Sequence, residues 1–199
     1  MSHHPESGRS EALVINRPIT KNINRQLAEI LIRGNKDDDD GEKQKFGYDF
    51  EFGFEDKMVQ AFGKEAAVYM GGPNKQNEPA VLIHGIPNLD GAREIAPGTG
   101  IYQGGLEAAV DGILNGSYRA LDFRFFVGRQ VYDPKTHPEK GTLLQKVQQS
   151  SYKPISCARS VALKQCLGLP KPLWHEGKLS ILPRERMPSF AGVAVFHLS

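Results

Sequence analysis

Two short apolar runs separated by a Gly-Gly-Pro corner constrain the fold more than any other feature of this sequence. The first run ends at Met70, Gly71-Gly72-Pro73 follows, and the second run ends at His84. Glycine tolerates backbone angles that other residues avoid, and proline fixes its own φ and lacks an N–H group, so the chain must turn here. The runs at 66–70 and 80–84 are almost continuously apolar, which predicts strands buried on both faces. The corner between them predicts a strand pair.

The spacing of apolar residues predicts the other elements. Alternation at 12–15 and the aromatic run at 122–128 predict strands. In the aromatic strand, Phe123, Phe125 and Val127 should face one side, and Arg124 and Phe126 the other. Helices are predicted from helical spacing after Pro18, with Thr20 as N-cap and Gly34 as stop, and at 106–114, 142–151 and 160–167. The end of the chain, 193–198, could add an edge strand or stay loose.

Length and the order of elements predict the fold class. At 199 residues and 39% hydrophobic, the chain can build one core, and a second full domain would be crowded. Short strands interrupted by helices at unequal spacing lack the regular alternation of a doubly wound sheet. The pattern therefore predicts an α+β domain.

Charge is distributed unevenly along the chain. Residues 1–118 hold 12 Lys and Arg against 18 Asp and Glu, a net of −6, whereas residues 119–199 hold 13 against 5, a net of +8. One interpretation is ordinary solvation of two differently charged faces. The other is a basic C-terminal face that meets an acidic partner or a nucleic acid, although no motif with interleaved aromatic residues supports nucleic-acid binding.

Cysteines and apolar segments bear on compartment and metal binding. Cys157 and Cys166 match no metal-ligand spacing and form no disulfide framework, which favours a reducing intracellular compartment. No run approaches the roughly 20 apolar residues of a membrane span. The four aspartates at 37–40 lack the alternate spacing of a calcium loop, so a solvated acidic loop over 35–56 is expected. No metal site and no cofactor motif is predicted.

Four blocks, taken in order, resemble the signature blocks of the AlgH/YqgE family, which occurs in bacteria and photosynthetic eukaryotes. They lie at 12–18, 68–73, 81–84 and 122–128, the last reading Asp-Phe-Arg-Phe-Phe-Val-Gly. The resemblance implies an α+β domain in which mixed strands form a highly curved, barrel-like sheet flanked by helices. It implies no reaction, because the biochemistry of the family is largely unassigned, although its members have been labelled transcriptional regulators.

The resemblance also sets the expected domain limits. It predicts a single domain over 1–177, with the acidic loop at 35–56 as an insertion and 178–199 as a tail of uncertain structure. Relatives carry strand-forming sequence ahead of the first block, so we expect the first strands to be missing from a chain that begins at an internal methionine. The chain as it stands is expected in the cytoplasm, and a plastid address would follow if an upstream transit peptide were lost. Beyond Gly128 the similarity loosens.

The candidate ligand-binding residues come from the glycine corners and from polar residues within the blocks. Bare backbone at the glycines lets a ligand, or another segment of chain, approach closely. His84 ends its strand and could face a pocket or bond a loop carbonyl, while Arg17 and Arg124 could pair internally or bind an external anion. The candidates are Asn16, Arg17, Gly71, Gly72, Pro73, His84, Arg124 and Gly128.

Two functions from different classes remain open. The favoured one is a non-catalytic regulatory or small-ligand-binding module, because no nucleophile and base stand at motif spacing. The alternative is an enzyme acting on a small phosphorylated or nucleotide-like substrate, with His84 as general base and Arg17 or Arg124 as anion clamp. A protein partner on the basic C-terminal face is a weaker third reading. Direct DNA binding is not expected, because no helix-turn-helix with a basic recognition helix is present.

Overall fold

The fold combines five helices with twelve strands in the part of the chain that a computed structural model describes, namely residues 2–4, 9–35, 50–135, 142–149, 152–156, 159–163, 180–181 and 194–197. The helices are α1 (Arg25–Arg33), α2 (Phe54–Phe62), α3 (Leu106–Leu114), α4 (Leu143–Gln148) and α5 (Arg159–Ala162). The strands are β1 (Ser2–His4), β2 (Arg9–Ala12), β3 (Pro18–Thr20), β4 (Val68–Met70), β5 (Val81–His84), β6 (Ala92–Glu94), β7 (Tyr102–Gly104), β8 (Phe123–Val127), β9 (Gln130–Tyr132), β10 (Tyr152–Ser156), β11 (Ser180–Ile181) and β12 (Ala194–His197).

A six-stranded mixed sheet forms the centre of the fold. Its order is β3-β4-β8-β5-β7-β6, and β4 and β8 run parallel while the other neighbours are antiparallel. The predicted α+β class is confirmed. The sheet is open rather than closed into a barrel, since β3 and β6 stand at opposite ends of the order of described strands.

The predicted pairing of β4 with β5 is wrong. Both strands pair with β8, which lies between them, in parallel with β4 and antiparallel with β5. Residues 71–80 separate β4 from β5, more than the roughly two to five residues of a hairpin loop. Phe123, Phe125 and Phe126 are buried, so β8 gains most from a central position in which both of its faces are covered.

The first part of the chain differs from the prediction in two places. The strand expected at 12–15 lies earlier, as β2, because after Ala12 the backbone turns to the main sheet, where Val14 N–H donates to Gly71 O at 2.8 Å. The N-cap of α1 is Asn24 rather than Thr20, since Asn24 Oδ1 accepts from Leu27 N–H at 2.8 Å. Gly34 ends α1 as predicted.

Helix α2 was not predicted, and its first residues fall inside the expected acidic loop. Phe54, Met58 and Phe62 follow one another at helical spacing and are buried. Phe62 makes edge contacts with Phe125 and Phe123 of β8, at ring-centroid distances of 5.0 and 6.1 Å. Residues 36–49 of the expected loop lie outside the described residues.

The two faces of the sheet carry separate apolar clusters. Phe123 and Phe125 pack with α1, α2 and α3 on one face, called here the helical face. On the opposite face Phe126 packs with Tyr69 and Ile83, and Leu163 after α5 packs against them. The predicted alternation along β8 is therefore confirmed.

Two three-stranded sheets complete the described structure, in the orders β1-β2-β9 and β11-β10-β12. Of the two possibilities left open for 193–198, an edge strand or a loose end, the structure has the strand, β12, at the end of the second sheet, whereas β6, β9 and β10 were not predicted. Helix α4 lies within the predicted 142–151. Helix α5 covers the start of the predicted helix at 160–167, whereas 164–167, Cys157 and Cys166 fall outside the described residues. Among the helices that are described, none is long and apolar enough to cross a membrane.

Candidate functional site

The second and fourth blocks meet where β4 and β8 end. These strands are parallel, so their carboxyl ends lie side by side, and Gly71 N–H donates to Val127 O at 2.7 Å. Beyond them, Asn74 and Arg129 exchange two backbone hydrogen bonds of 2.9 and 2.8 Å. This meeting of chain segments is called the junction.

The candidate glycines are crowded by the junction itself. A Cβ atom on Gly71 would collide with Gly128 O, and one on Gly72 would collide with the backbone of Arg129. Gly128 has a φ of +67° and faces Gly72 O and Asn74 O. The space beside these three glycines holds another segment of chain, whereas Pro73 is exposed.

Five charged side chains surround the junction and form what we call the charged cluster: Arg9, Glu11, Lys75, Glu78 and Arg129. Arg129 bridges two carboxylates, with Nη1 2.9 Å from Glu11 Oε2 and Nη2 2.9 Å from Glu78 Oε2. Lys75 Nζ lies 3.4 Å from Glu11 Oε1 and 3.2 Å from Glu78 Oε1, and Arg9 Nη2 lies 2.8 Å from Glu11 Oε1. Among the described residues, three cations thus surround two carboxylates.

Glu11 lies at the centre of the charged cluster, and its side chain is 14% exposed. Burial alone raises the pKa of this carboxyl, but the hydrogen bond from Arg129 and the charges of Arg129, Lys75 and Arg9 together bring it below the ordinary 4.5. Glu11 is therefore ionised at neutral pH and holds the three cations together.

Sequence reasoning missed every member of the charged cluster. Arg129 and Glu11 are 118 positions apart and Arg129 and Glu78 are 51 apart, so no local motif joins them. One signal was available, because Arg129 directly follows the glycine that ends the fourth block.

Lys75 has an unusual backbone at this site. Its φ is +57°, in the left-handed region that residues with a Cβ rarely adopt. The preceding Asn74 fixes this turn, since its Oδ1 accepts from Val131 N–H at 3.1 Å in addition to the backbone pair with Arg129. The turn directs the Lys75 ammonium into the charged cluster.

His84 is buried on the helical face of the sheet. Its side chain is 0% exposed, stacks on Tyr102 at 5.8 Å and contacts Phe123 at 5.4 Å. His84 Nδ1 accepts from Ile86 N–H at 3.2 Å, which places the ring proton of the neutral form on Nε2. Burial lowers the pKa of His84, opposed in part by the backbone of Gly104, so the ring is neutral at pH 7.

The other candidate residues do not converge on His84. Arg124 is 5% exposed and lies opposite Ile83 in the β5–β8 pair, whereas His84 lies opposite Phe123. Neighbouring residues of a strand point to opposite faces, so Arg124 and His84 lie on different sides of the sheet. Arg17 and Asn16 precede β3 at the far edge, where Arg17 O accepts from Met70 N–H at 2.8 Å.

Burial of neutral His84 predicts a pH dependence of stability. Its folded pKa lies below the ordinary 6.5, so the unfolded chain binds the proton more readily. The contribution of His84 is fully present above pH 6.5 and is lost as pH falls towards the folded pKa. We expect the urea midpoint to fall between about pH 7.5 and 5.5, and to fall less in His84→Asn, whose amide does not titrate there.

Comparing the two proteins cancels the contribution of the other histidines. Equal pH dependence of the urea midpoint in wild type and variant would show that the burial of neutral His84 makes no pH-dependent contribution to the stability of the protein.

The family profile described as AlgH-like matches residues 1–178. The chain belongs to the AlgH-like family. This family of uncharacterised proteins supplies no activity, and comparisons with curated proteins and with solved structures found no match. Among the residues that the structure describes, no three His, Cys, Asp or Glu side chains are grouped so that they could hold a metal ion.

Proposed function

We propose that this AlgH-like protein is a non-catalytic module that binds a small anion at the charged cluster. The observation that carries the proposal is the grouping of three cationic side chains that are each partly exposed, at 36% for Arg9, 29% for Lys75 and 22% for Arg129. Grouped, partly buried cations attract anions more strongly than an isolated surface cation, because water screens them less.

The backbone and the hydrogen bonds around the cluster support this choice. Lys75 adopts its left-handed conformation at a cost of roughly 1–3 kcal/mol, and such conformations concentrate at binding sites. Arg129 Nε is buried and has no hydrogen-bond acceptor among the described residues. The cluster therefore retains donor capacity beyond its two carboxylates.

The position of the cluster supports it as well. Ligands of open sheets containing parallel strands commonly bind beyond the carboxyl ends of those strands. The charged cluster lies beyond the ends of β4 and β8, which form the parallel pair of the central sheet.

The enzymatic alternative has less support. A general base must lie within hydrogen-bond distance of the substrate, but His84 is buried against Tyr102 and Phe123. A clamp at Arg124 would hold a substrate on the face of the sheet opposite to His84. The geometry of the candidate residues therefore favours binding over catalysis.

Anions should raise the melting temperature of the purified chain. Inorganic phosphate, sulfate, acetate and succinate, compared at constant ionic strength, form the panel. A ligand at a hundred times its Kd stabilises the folded state by about 2.7 kcal/mol. We expect a selective shift that Lys75→Met removes, because this variant keeps the length of the side chain without its charge.

Lys57→Met is the matched control. Lys57 is 50% exposed on α2 and lies 3.6 Å from the exposed Glu51, which is not a member of the charged cluster, so its loss should leave the anion shift unchanged. A panel without any selective shift, or a shift that Lys75→Met retains, would contradict the proposal.

A further inference from the structure

We infer that the Glu78 carboxylate fills the anion site when no external anion is bound. We also infer that the external anion which displaces it is itself a carboxylate. This inference rests on the function proposed above. It assigns to one residue of the charged cluster the role of an internal competitor, and it gives the ligand a chemical class.

The two carboxylates of the cluster are not equivalent. Glu11 belongs to β2, which pairs with β1 on one side and with β9 on the other. Its side chain is 14% exposed and forms ion pairs with three cations. Glu78 belongs to the connection between β4 and β5, its side chain is 29% exposed, and among the described residues it forms ion pairs with Arg129 and Lys75. Glu78 is therefore the carboxylate that can leave.

The contacts of Glu78 are those of a bound carboxylate ligand. Its Oε2 lies 2.9 Å from Arg129 Nη2, and its Oε1 lies 3.2 Å from Lys75 Nζ, so each oxygen meets one cation. If the side chain turns out to solvent, the same two donors face the vacated position. A planar group with two oxygens then reproduces both contacts.

The cations keep their positions when Glu78 leaves. The connection is anchored before Lys75 by the backbone pair between Asn74 and Arg129, and after Glu78 by Ala80 N–H, which donates to Leu31 O at 2.9 Å. Glu11 continues to hold both Arg129 and Lys75. Displacement of Glu78 therefore requires only a change of its own side chain.

The charge of the site selects a carboxylate over a phosphate. Glu11 stays in the cluster, and the displaced Glu78 remains close by on the same connection. A monoanion replaces the Glu78 charge one for one, whereas a phosphate dianion adds a negative charge beside two carboxylates and is repelled. Small carboxylates and carboxylate side chains of peptides share this chemistry.

Glu78→Gln removes the competing charge and keeps the shape of the side chain. A charged hydrogen bond contributes about 1.5–3 kcal/mol, so its loss from the competitor should tighten acetate binding about tenfold or more. The measurement is the Kd from calorimetric titration of wild type and variant with acetate and inorganic phosphate at constant ionic strength. A short peptide with one internal glutamate is titrated in parallel. It shows whether the site takes the carboxylate of a peptide side chain or that of a free small molecule.

Glu51→Gln is the matched control, since Glu51 is 83% exposed and pairs with Lys57 rather than with a member of the charged cluster, and its Kd values should equal those of wild type. Glu78→Asp provides a second variant if the glutamine protein does not fold. Its shorter side chain weakens the contact with Arg129 and should give a smaller gain in the same direction.

The outcomes separate this inference from the proposed function. Anion binding that Glu78→Gln leaves unchanged overturns the competition by Glu78 but leaves anion binding at the cluster intact. Phosphate that binds the wild-type protein as tightly as acetate does overturns the choice of a carboxylate. Failure of every anion to bind either protein overturns both the inference and the proposed function.

Discussion

Gly128→Ala should destabilise the protein by about 2–5 kcal/mol, because two costs act at the same position. The φ of +67° places a Cβ-bearing residue in the left-handed region, at about 1–2 kcal/mol. The added methyl would also press against Gly72 O and Asn74 O, which are backbone atoms that cannot rotate away. Relief requires the two parallel strand ends to separate, and with them the Asn74–Arg129 backbone pair.

Gly98→Ala separates the two costs. Gly98 has a φ of +78°, but no atom of the described residues lies within 4 Å of the position that its Cβ would take. We expect it to lose only the conformational contribution, about 1–2 kcal/mol. The measurement is the free energy of unfolding in urea for both variants. Equal losses would show that contact between the glycines does not stabilise the junction.

Phe125→Ala should destabilise the protein by about 3–5 kcal/mol, which is typical of a large aromatic side chain removed from a core. Phe125 is 1% exposed and packs against Phe62 of α2 at 5.0 Å, so the substitution opens a cavity between the central strand and this helix. Guanidinium denaturation followed by circular dichroism gives the free energy of unfolding.

Phe52→Ala is the control for the loss of aromatic area. Phe52 is fully exposed, and its replacement should change stability by less than about 0.5 kcal/mol. If Phe125→Ala does not fold, Phe125→Leu reports on the same contact with a smaller cavity. Similar stabilities for the Phe125 and Phe52 variants would refute the central position of β8.

Features of the fold that depend on local interactions were the ones that the sequence predicted best. Gly34 was found as the end of α1 because a glycine after an apolar stripe is a local signal. The alternation of Phe123, Phe125 and Phe126 was found because a strand of period two sorts its own side chains. Helix α2 was missed although Phe54, Met58 and Phe62 carry helical spacing, since the acidic residues before it suggested that a loop continued.

Local sequence patterns could not predict which strands pair with one another. The apolar runs of β4 and β5 indicated burial, which is correct, but not their partner. An apolar run is compatible with any neighbour that covers it, and here β8, which lies beyond both in the sequence, pairs with each of them.

The sequence determined the α+β class, the glycine-marked turns and the membership of the AlgH-like family, because these depend on local conformation and on the order of short blocks. Only the tertiary structure decided what the polar residues do. It buried His84 on one face of the sheet and Arg124 on the other, and it brought Glu11, Glu78 and Arg129 together from distant positions. Charges interact through space, and their separation is fixed by strand order and register, which no local pattern of residues encodes.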